Sequence, residues 1–374
     1  MKNNGLKSVL AVLLGLLFGA ILMSIMGHDP IKGYGYLIQG GALNIERIGN
    51  TIAMATPIIL TGLSVAFAFR TGLFNIGAAG QMLFGGLSAT IVGLYVTLPR
   101  PLLLLAMILA GFLGGAIAAG IPGLLKAKFN VNEVVSTIMM NWIAYWVVYY
   151  TVKTYLKGEF LETESRALPE IASLRTPWLT NMFEGSFINL GIIIAIIAVI
   201  VILFILEKTV LGYELKAVGF NRHAAEYAGM PVKRNILISM MISGGLAGLA
   251  GVVQYAGNAN VIQSGVTPTQ GFDGIAVSLL GANGPIGVFF AALFFGLLYA
   301  GKGFMSVMTS IPPEIADTIM AVIIYFAATS VIMDKAIKKY SKKNKDRKNK
   351  DGELKDIEKK DKEKKITTEN AGGI

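Results

Sequence analysis

Four stretches of this chain, residues 10–25, 102–125, 188–206 and 315–333, are apolar almost throughout. As helices they have the length that crosses the hydrocarbon core of a bilayer. Inside lipid every backbone N–H and C=O must be satisfied within the protein, which leaves only helices or closed barrels. A barrel would show short segments of alternating hydrophobicity, and these runs are continuous. Composition agrees: 54% of the residues are hydrophobic and 15% are charged, against about a quarter charged in soluble domains. The expected fold is all-α, a polytopic helical membrane protein.

About ten transmembrane helices are expected, at 7–26, 45–69, 80–98, 101–125, 134–152, 188–206, 235–255, 272–283, 286–301 and 315–333. The eighth is too short to cross alone, and such half-helices are tolerated where protein buries them. The first follows a basic start and lacks a small-residue cleavage site, so it is expected to remain as a span. Residues 1–334 then form the transmembrane domain, and 335–374 a disordered, Lys-rich cytoplasmic tail. The 44 glycines, many within spans, suit close helix approach. FNIGAAGQ at 74–81 and QGFDG at 270–274 each lead into a small-residue helix. The two would enter from opposite sides, as an inverted repeat matching spans 2–5 to spans 7–10 requires.

Lys and Arg mark the cytoplasmic side of a membrane protein. Lys2, Lys7, Arg70, Lys126, Lys128, Lys208, Lys216, Arg222, Lys233 and Arg234 share one side of a ten-span chain. Both termini are therefore expected in the cytoplasm. The stretch 153–187, with Trp178, lies outside, where it suits a cap or a binding-protein platform. Arg100, in a short external loop, dissents. The net charge of +10 is concentrated in the tail, which can attract anionic membrane lipid. It carries no nucleic-acid-binding motif, and no nucleic-acid partner is expected.

There are no cysteines, and the two histidines, His28 and His223, fall on opposite sides. Neither a metal site nor a cofactor is expected. HExxH, Walker-type and suitably placed GxSxG motifs are missing, so the chain is not expected to be an enzyme or to hydrolyse ATP itself. The charges Glu46, Arg47, Arg70, Glu133, Asp273, Glu314 and Asp317 sit at expected span ends, where they reach water. That distribution argues against a proton pump, which carries carboxylates or His deep in its bundle. Asp273 opens a short helix beside Gly271 and Gly274 and is expected as its N-cap.

A path for a polar solute would be lined by amides and hydroxyls. Asn75 and Gln81 flank one helix break. Gln254, Asn258, Asn260, Gln263, Thr267, Thr269 and Gln270 gather around the other, beside Asp273. A buried amide needs a partner, so each either joins helices or faces the path. Asn75, Gln81, Gln254, Asn258, Gln263, Gln270 and Asp273 are the path candidates. The aromatic stretch Trp142, Tyr145, Trp146, Tyr149 and Tyr150, next to Asn141, fits an interfacial belt.

Between the sixth and seventh spans lies a polar segment, 208–234. Within it NRHAAEYA (221–228) can form about two helical turns. Asn221 is a plausible cap, Ala224, Ala225 and Ala228 favour helix, and Gly229 stops it. AVGFNRHAAEYAGMPV resembles the cytoplasmic coupling-helix loop of ABC-importer permeases, in the branch serving ribose-like sugars, branched-chain amino acids and nucleosides. That loop typically reads A-V-G-x-N-x-x-A-A-x-x-A-G. Ala217, Val218, Gly219, Asn221, Ala224, Ala225, Ala228 and Gly229 match it. GLSVAFAFRTGLFNIGAAGQ (62–81) and GFDGIAVSLLG (271–281) are similar to segments of the nucleoside-type members. The resemblance covers roughly 45–333 and departs at Ala79, where many relatives carry an acidic residue.

The resemblance implies a permease subunit of a bacterial cytoplasmic membrane. Its partners would be a second, different permease, a cytoplasmic ATPase and an extracytoplasmic solute-binding protein. Asn221, Arg222, Ala224, Ala225, Glu226, Ala228 and Gly229 would contact the ATPase. The implied solute is a nucleoside, with sugars possible. The alternative class is an ion-coupled secondary transporter, with Asp273 in its cation site.

Overall fold

A computed structural model describes residues 4–159 and 161–329, and each of the ten expected spans is helical over most of its described length. They are α1 (Asn4–Ile25), α3 (Ile45–Arg70), α4 (Ala78–Tyr95), α5 (Arg100–Phe129), α6 (Glu133–Tyr155), α8 (Gly191–Lys208), α11 (Val232–Val252), α12 (Gln270–Leu280), α13 (Pro285–Thr309) and α14, from 314 to the last described residue, 329. Seven described helices are long and apolar enough to cross a membrane. The aromatic-rich α6 and the short α12 fall outside that set. The expected tail, 335–374, lies outside the described residues.

Three further helices were not anticipated: Pro30–Ala42, Val210–Phe220 and a short one at Pro177–Met182. α2 (Pro30–Ala42) follows Asp29, whose carboxylate accepts from the N–H groups of Ile31 and Lys32. Proline at the first helical position makes this a standard start. α9 (Val210–Phe220) occupies the segment expected to be a loop, capped by Thr209, whose hydroxyl accepts from Gly212 N–H at 3.1 Å. Leu211, Leu215 and Val218 recur at helical spacing and are wholly or partly buried. Short helices α7 (Pro177–Met182) and α10 (Arg222–Tyr227) complete the chain.

Helix packing follows the glycines. Gly85 of α4, Gly111 and Gly115 of α5, and Gly244 and Gly248 of α11 meet backbone to backbone, with no room for a Cβ. Small residues permit this approach in a membrane, where apolar helices gain little from leaving lipid.

The packing is exchanged between two halves. α3, first helix of one half, packs on α12 and α13 of the other; α11, first helix of the second half, packs on α4 and α5 of the first. α3 ends beside α9, where Gly72 meets Gly219. α11 ends at the opposite face, beside Arg175. The chain re-enters after each, and the starts of α4 and α12 meet where Gly271 presses on Ala79. Ala79, where the departure was noted, is fully buried at this contact.

The face bearing Arg175 is covered by residues 156–190. Backbone bonds Ser165 N–Ile262 O (2.9 Å), Leu168 N–Asn260 O (3.0 Å) and Leu174 N–Ala256 O (2.8 Å) tie this cap to the segment after α11. Arg100, the dissenter in the charge pattern, donates to the Arg175 carbonyl of the cap at 2.8 Å. Its position is set by that contact.

Candidate translocation path and partner-facing surface

The re-entrant turn before α4 is held by a closed amide network. Asn75 Nδ2 donates to Gln81 Oε1 and to Ser243 Oγ, both at 2.8 Å, and Gln81 Nε2 returns a bond to Asn75 Oδ1 at 2.9 Å. Asn75 Oδ1 also accepts from Gly77 N–H, and Asn141 Oδ1 accepts from Gly80 N–H at 2.8 Å. These two backbone donors lie at the cap and in the first turn of α4 and have no partner within the helix. Asn141 Nδ2 donates to Ile76 O, fixing α6 to the same turn. Ser243 Oγ donates to Ser64 O at 2.7 Å, joining α11 to α3. Asn75 and Gln81 are fully buried, with their amides engaged inside the protein. Asn141, passed over in the sequence as part of an aromatic belt, belongs to this lock.

The second polar cluster divides into three places. Gln254 and Asn258 lie on a π-helical turn, Val253–Asn258, that continues α11. Asn258 Nδ2 donates to Ala53 O at 3.1 Å and its Oδ1 accepts from Asn189 at 2.9 Å. The Gly257 and Asn258 carbonyls, left over at the helix end, accept from Arg175, whose guanidinium also lies 5.1 Å from the Phe187 ring. Burial lowers the Arg175 pKa from its ordinary value, and these contacts compensate the charge. Gln263, in the segment after α11, is exposed and donates to Glu164 of the cap at 3.1 Å. It lies apart from the helix starts.

Gln270 and Asp273 stand on the first turn of α12. Asp273 is not the N-cap that the sequence suggested. Thr269 precedes the helix, and Asp273 Oδ2 instead accepts from Tyr299 Oη of α13 at 2.8 Å. Gly271 and Gly274 turn one side of α12 onto Ala79 and Thr61, which rotates Asp273 toward α13. The Gln270 carbonyl accepts from Thr61 Oγ1 at 2.8 Å. Its side-chain amide makes no hydrogen bond to a described residue. Beyond Tyr299, Lys302 pairs with Asp317 of α14 at 2.9 Å and sits 4.9 Å from the Tyr299 ring. The sequence reading missed both: Tyr299 was taken as an ordinary residue of the span expected at 286–301, and Lys302 fell just past its end. The helix continues to Thr309, and the i, i+3 spacing of the pair is the signal that would have revealed them.

The remaining candidates lie on the opposite face. Asn221 caps α10, its Oδ1 accepting from Ala224 N–H at 3.1 Å. Arg222 reaches Asn130 at the α5–α6 turn (3.2 Å). Ala225 is buried against Ala68, Leu73, Val218 and Val232, so it faces the spans rather than the exterior. Ala224, Glu226, Ala228 and Gly229 are exposed. Gly229 has φ +80° with open space around it, so glycine is needed there for backbone conformation alone. Flanking them, Phe220 and Tyr227 are 93% and 97% exposed, the highest values among large apolar side chains of the described residues. The sequence reading passed over both.

α9, beneath this tip, is fixed to three spans. Gly212 packs on the end of α8, and Lys216 pairs with Glu207 at 2.9 Å. Glu214 accepts from Asn235 of α11 at 2.9 Å. Gly219 packs on the Arg70 carbonyl of α3.

A multi-pass bundle with exchanged halves, a polar junction at its centre and one anchored extramembrane helix pair has the form of a transport-system permease. The chain belongs to the family described as branched-chain amino acid transport system / permease component, whose model matches residues 47–328. It is 43% identical over 345 residues to the guanosine ABC transporter permease protein NupP of Bacillus subtilis, covering 90% of this chain and 97% of that one. It is 39% identical to the nucleoside ABC transporter permease protein NupB of Lactococcus lactis, over 90% of this chain and 95% of the relative. It is 32% identical to the glucose ABC transporter permease protein TsgB13 of Haloferax volcanii, over 86% of each. A second guanosine permease of the same Bacillus, NupQ, is 30% identical over 71% of this chain and 83% of its own length. Family membership makes this chain a membrane transport permease.

Proposed function

We propose that the chain is one of two different permease subunits of an ATP-driven importer of nucleosides, energised by a separate ATPase that docks on α9 and α10. The observation that carries the reading is the pair Phe220 and Tyr227, fully exposed at the tip of an element whose base is fixed to α3, α8 and α11. Fully burying an aromatic side chain is worth about 1.5–3 kcal/mol, so two such rings are a strong anchor for a groove. Around them Ala224, Glu226, Ala228 and Gly229 supply the rest of the contact. Asn221, Arg222 and Ala225 hold the element in shape.

Arg70, the Lys126–Glu133 pair and Arg222 lie on the α10 face, which is therefore the cytoplasmic one by the positive-inside rule. Both termini share it in a ten-span chain. The cap, 156–190, then faces outward and offers Trp178 to a solute-binding protein. Solute descends toward the start of α12. There Gln270 and Asp273, one helical turn apart, present an amide and a carboxylate beside the Tyr299 hydroxyl. A carboxylate accepts from two vicinal hydroxyls at once, which suits the ribose of a nucleoside; a free sugar has the same groups. Names of the more similar relatives favour nucleosides. ATP-driven closure displaces α9 and α10 and opens the path inward. Such coupling requires that the ATPase states differ in their contacts with this element.

The test is co-expression of the tagged chain with its transporter partners, extraction in mild detergent and guanosine uptake in liposomes with ribose and glucose as competitors. An ATPase is expected to copurify and to be released by Phe220→Ala with Tyr227→Ala. Uptake by the chain alone, driven by an ion gradient, would overturn the reading.

A further inference from the structure

The α10 face and the central junction are linked through one side chain. Gly219, at the end of α9, lies against the backbone carbonyl of Arg70, and a Cβ there would overlap it. The Arg70 side chain then leaves α3 and donates from Nε to the carbonyl of Asn283 at 3.0 Å. Asn283 is the turn between α12 and α13. It holds φ +56°, its N–H donates to Ser278 O at 2.8 Å, and its Oδ1 accepts from Ser278 Oγ at 2.7 Å. The turn is thus locked to the last helical residues of α12. At its other end α12 presses Gly271 on Ala79 and Gly274 on Thr61, and carries Gln270 and Asp273. An 11-residue helix is about 16 Å long. It behaves as a rod with Arg70 at one end and the polar junction at the other.

We propose that Arg70 is the positioning residue that relays movement of α9 to α12, so that the second half of the permease responds to a partner bound at the first half's end of α3. The inference rests on the ATP-driven reading above. Other links from α9 run to α8 and α11. The α11 link leads on to α4 through Ser243 and Asn75, whereas the Arg70 link leads to α12, the helix that carries Gln270 and Asp273. A guanidinium suits the task. It stays charged and holds a carbonyl at the membrane boundary with fixed geometry.

The experiment uses the complete transporter in liposomes, with solute uptake and ATP hydrolysis read in the same vesicles. Arg70→Gln is expected to leave the ATPase bound and hydrolysing within about twofold of the native rate, while uptake falls about tenfold. Arg70→Lys is expected to recover part of the uptake. Gly219→Ala, which wedges α9 away from α3, should repeat the high ratio of hydrolysis to uptake. Parallel loss of both activities in Arg70→Gln, or unchanged uptake, would overturn the relay. A second readout does not depend on activity. The chain has no cysteine, so Ala282→Cys places one thiol at the exposed turn beside Asn283. Its maleimide labelling is expected to change with nucleotide in the native background and to be insensitive to nucleotide with Arg70→Gln. A nucleotide response that survives Arg70→Gln would sink the proposal. Failure of any ATPase to copurify would instead strike the underlying reading.

Discussion

At the scale of single residues the two polar clusters part company. Asn75 and Gln81 satisfy each other, whereas Asp273 shares only one oxygen with Tyr299 and Gln270 offers its whole amide. On the proposed reading, recognition of a hydroxylated solute falls to α12. A hydrogen bond to a charged group contributes about 1.5–3 kcal/mol, or roughly tenfold to a hundredfold in affinity. Asp273→Asn keeps the size and the acceptor for Tyr299 but loses the charge. It is expected to raise the KM for guanosine uptake at least tenfold, with ATPase copurification unchanged. Initial rates across a concentration series check this. An unchanged KM would place recognition elsewhere in the bundle.

At the scale of elements the re-entrant segment before α4 is a structural lock, and the prediction belongs to the segment as a whole. Asn75→Ala leaves the Gln81 amide, Ser243 Oγ and Gly77 N–H each short of a partner in a buried place. Each orphaned group costs about 1–3 kcal/mol. The variant is expected to unfold several degrees lower in detergent. Ser88→Ala, which removes only a bond to its own helix at Phe84 O, should stay near the native value. Lost uptake at an unchanged melting temperature would make Asn75 a path residue after all. The same segment marks what a sequence can and cannot reveal. The seven long apolar helices were legible because lipid imposes continuous apolar runs, and the breaks before α4 and α12 were legible from clustered glycine and amide. α9 was hidden because Glu214, Lys216 and two glycines dilute its apolar stripe, although Thr209 and the spacing of Leu211, Leu215 and Val218 mark a capped helix. The fate of each amide was not legible. Gln263 and Gln270 are alike in one dimension and differ only in tertiary partners, Glu164 for one and no described residue for the other. Exposure at Phe220 and Tyr227 likewise depends on which side of α9 and α10 the spans cover.

At the scale of the whole molecule the question is what completes the path. Gln270, Asp273 and Tyr299 are only partly buried within this chain, with Phe272 beside them 45% exposed. A polar half-site open on one side needs a second wall, since lipid leaves such groups unpaired at a cost of several kcal/mol. Two identical chains would build a symmetric site; two different ones would build an asymmetric site, better matched to a nucleoside with a sugar at one end and a base at the other. The identity pattern points the same way, because this chain is 43% identical to one guanosine permease of Bacillus subtilis and 30% to the other. The expected complex holds one copy of this chain and one of a distinct permease. Native mass spectrometry of the complex, purified through a tag on this chain, measures it directly. A second, untagged copy of the same chain in the purified particle would refute the asymmetric pairing. The polar residues of α12 would then face their own symmetry mates across the path.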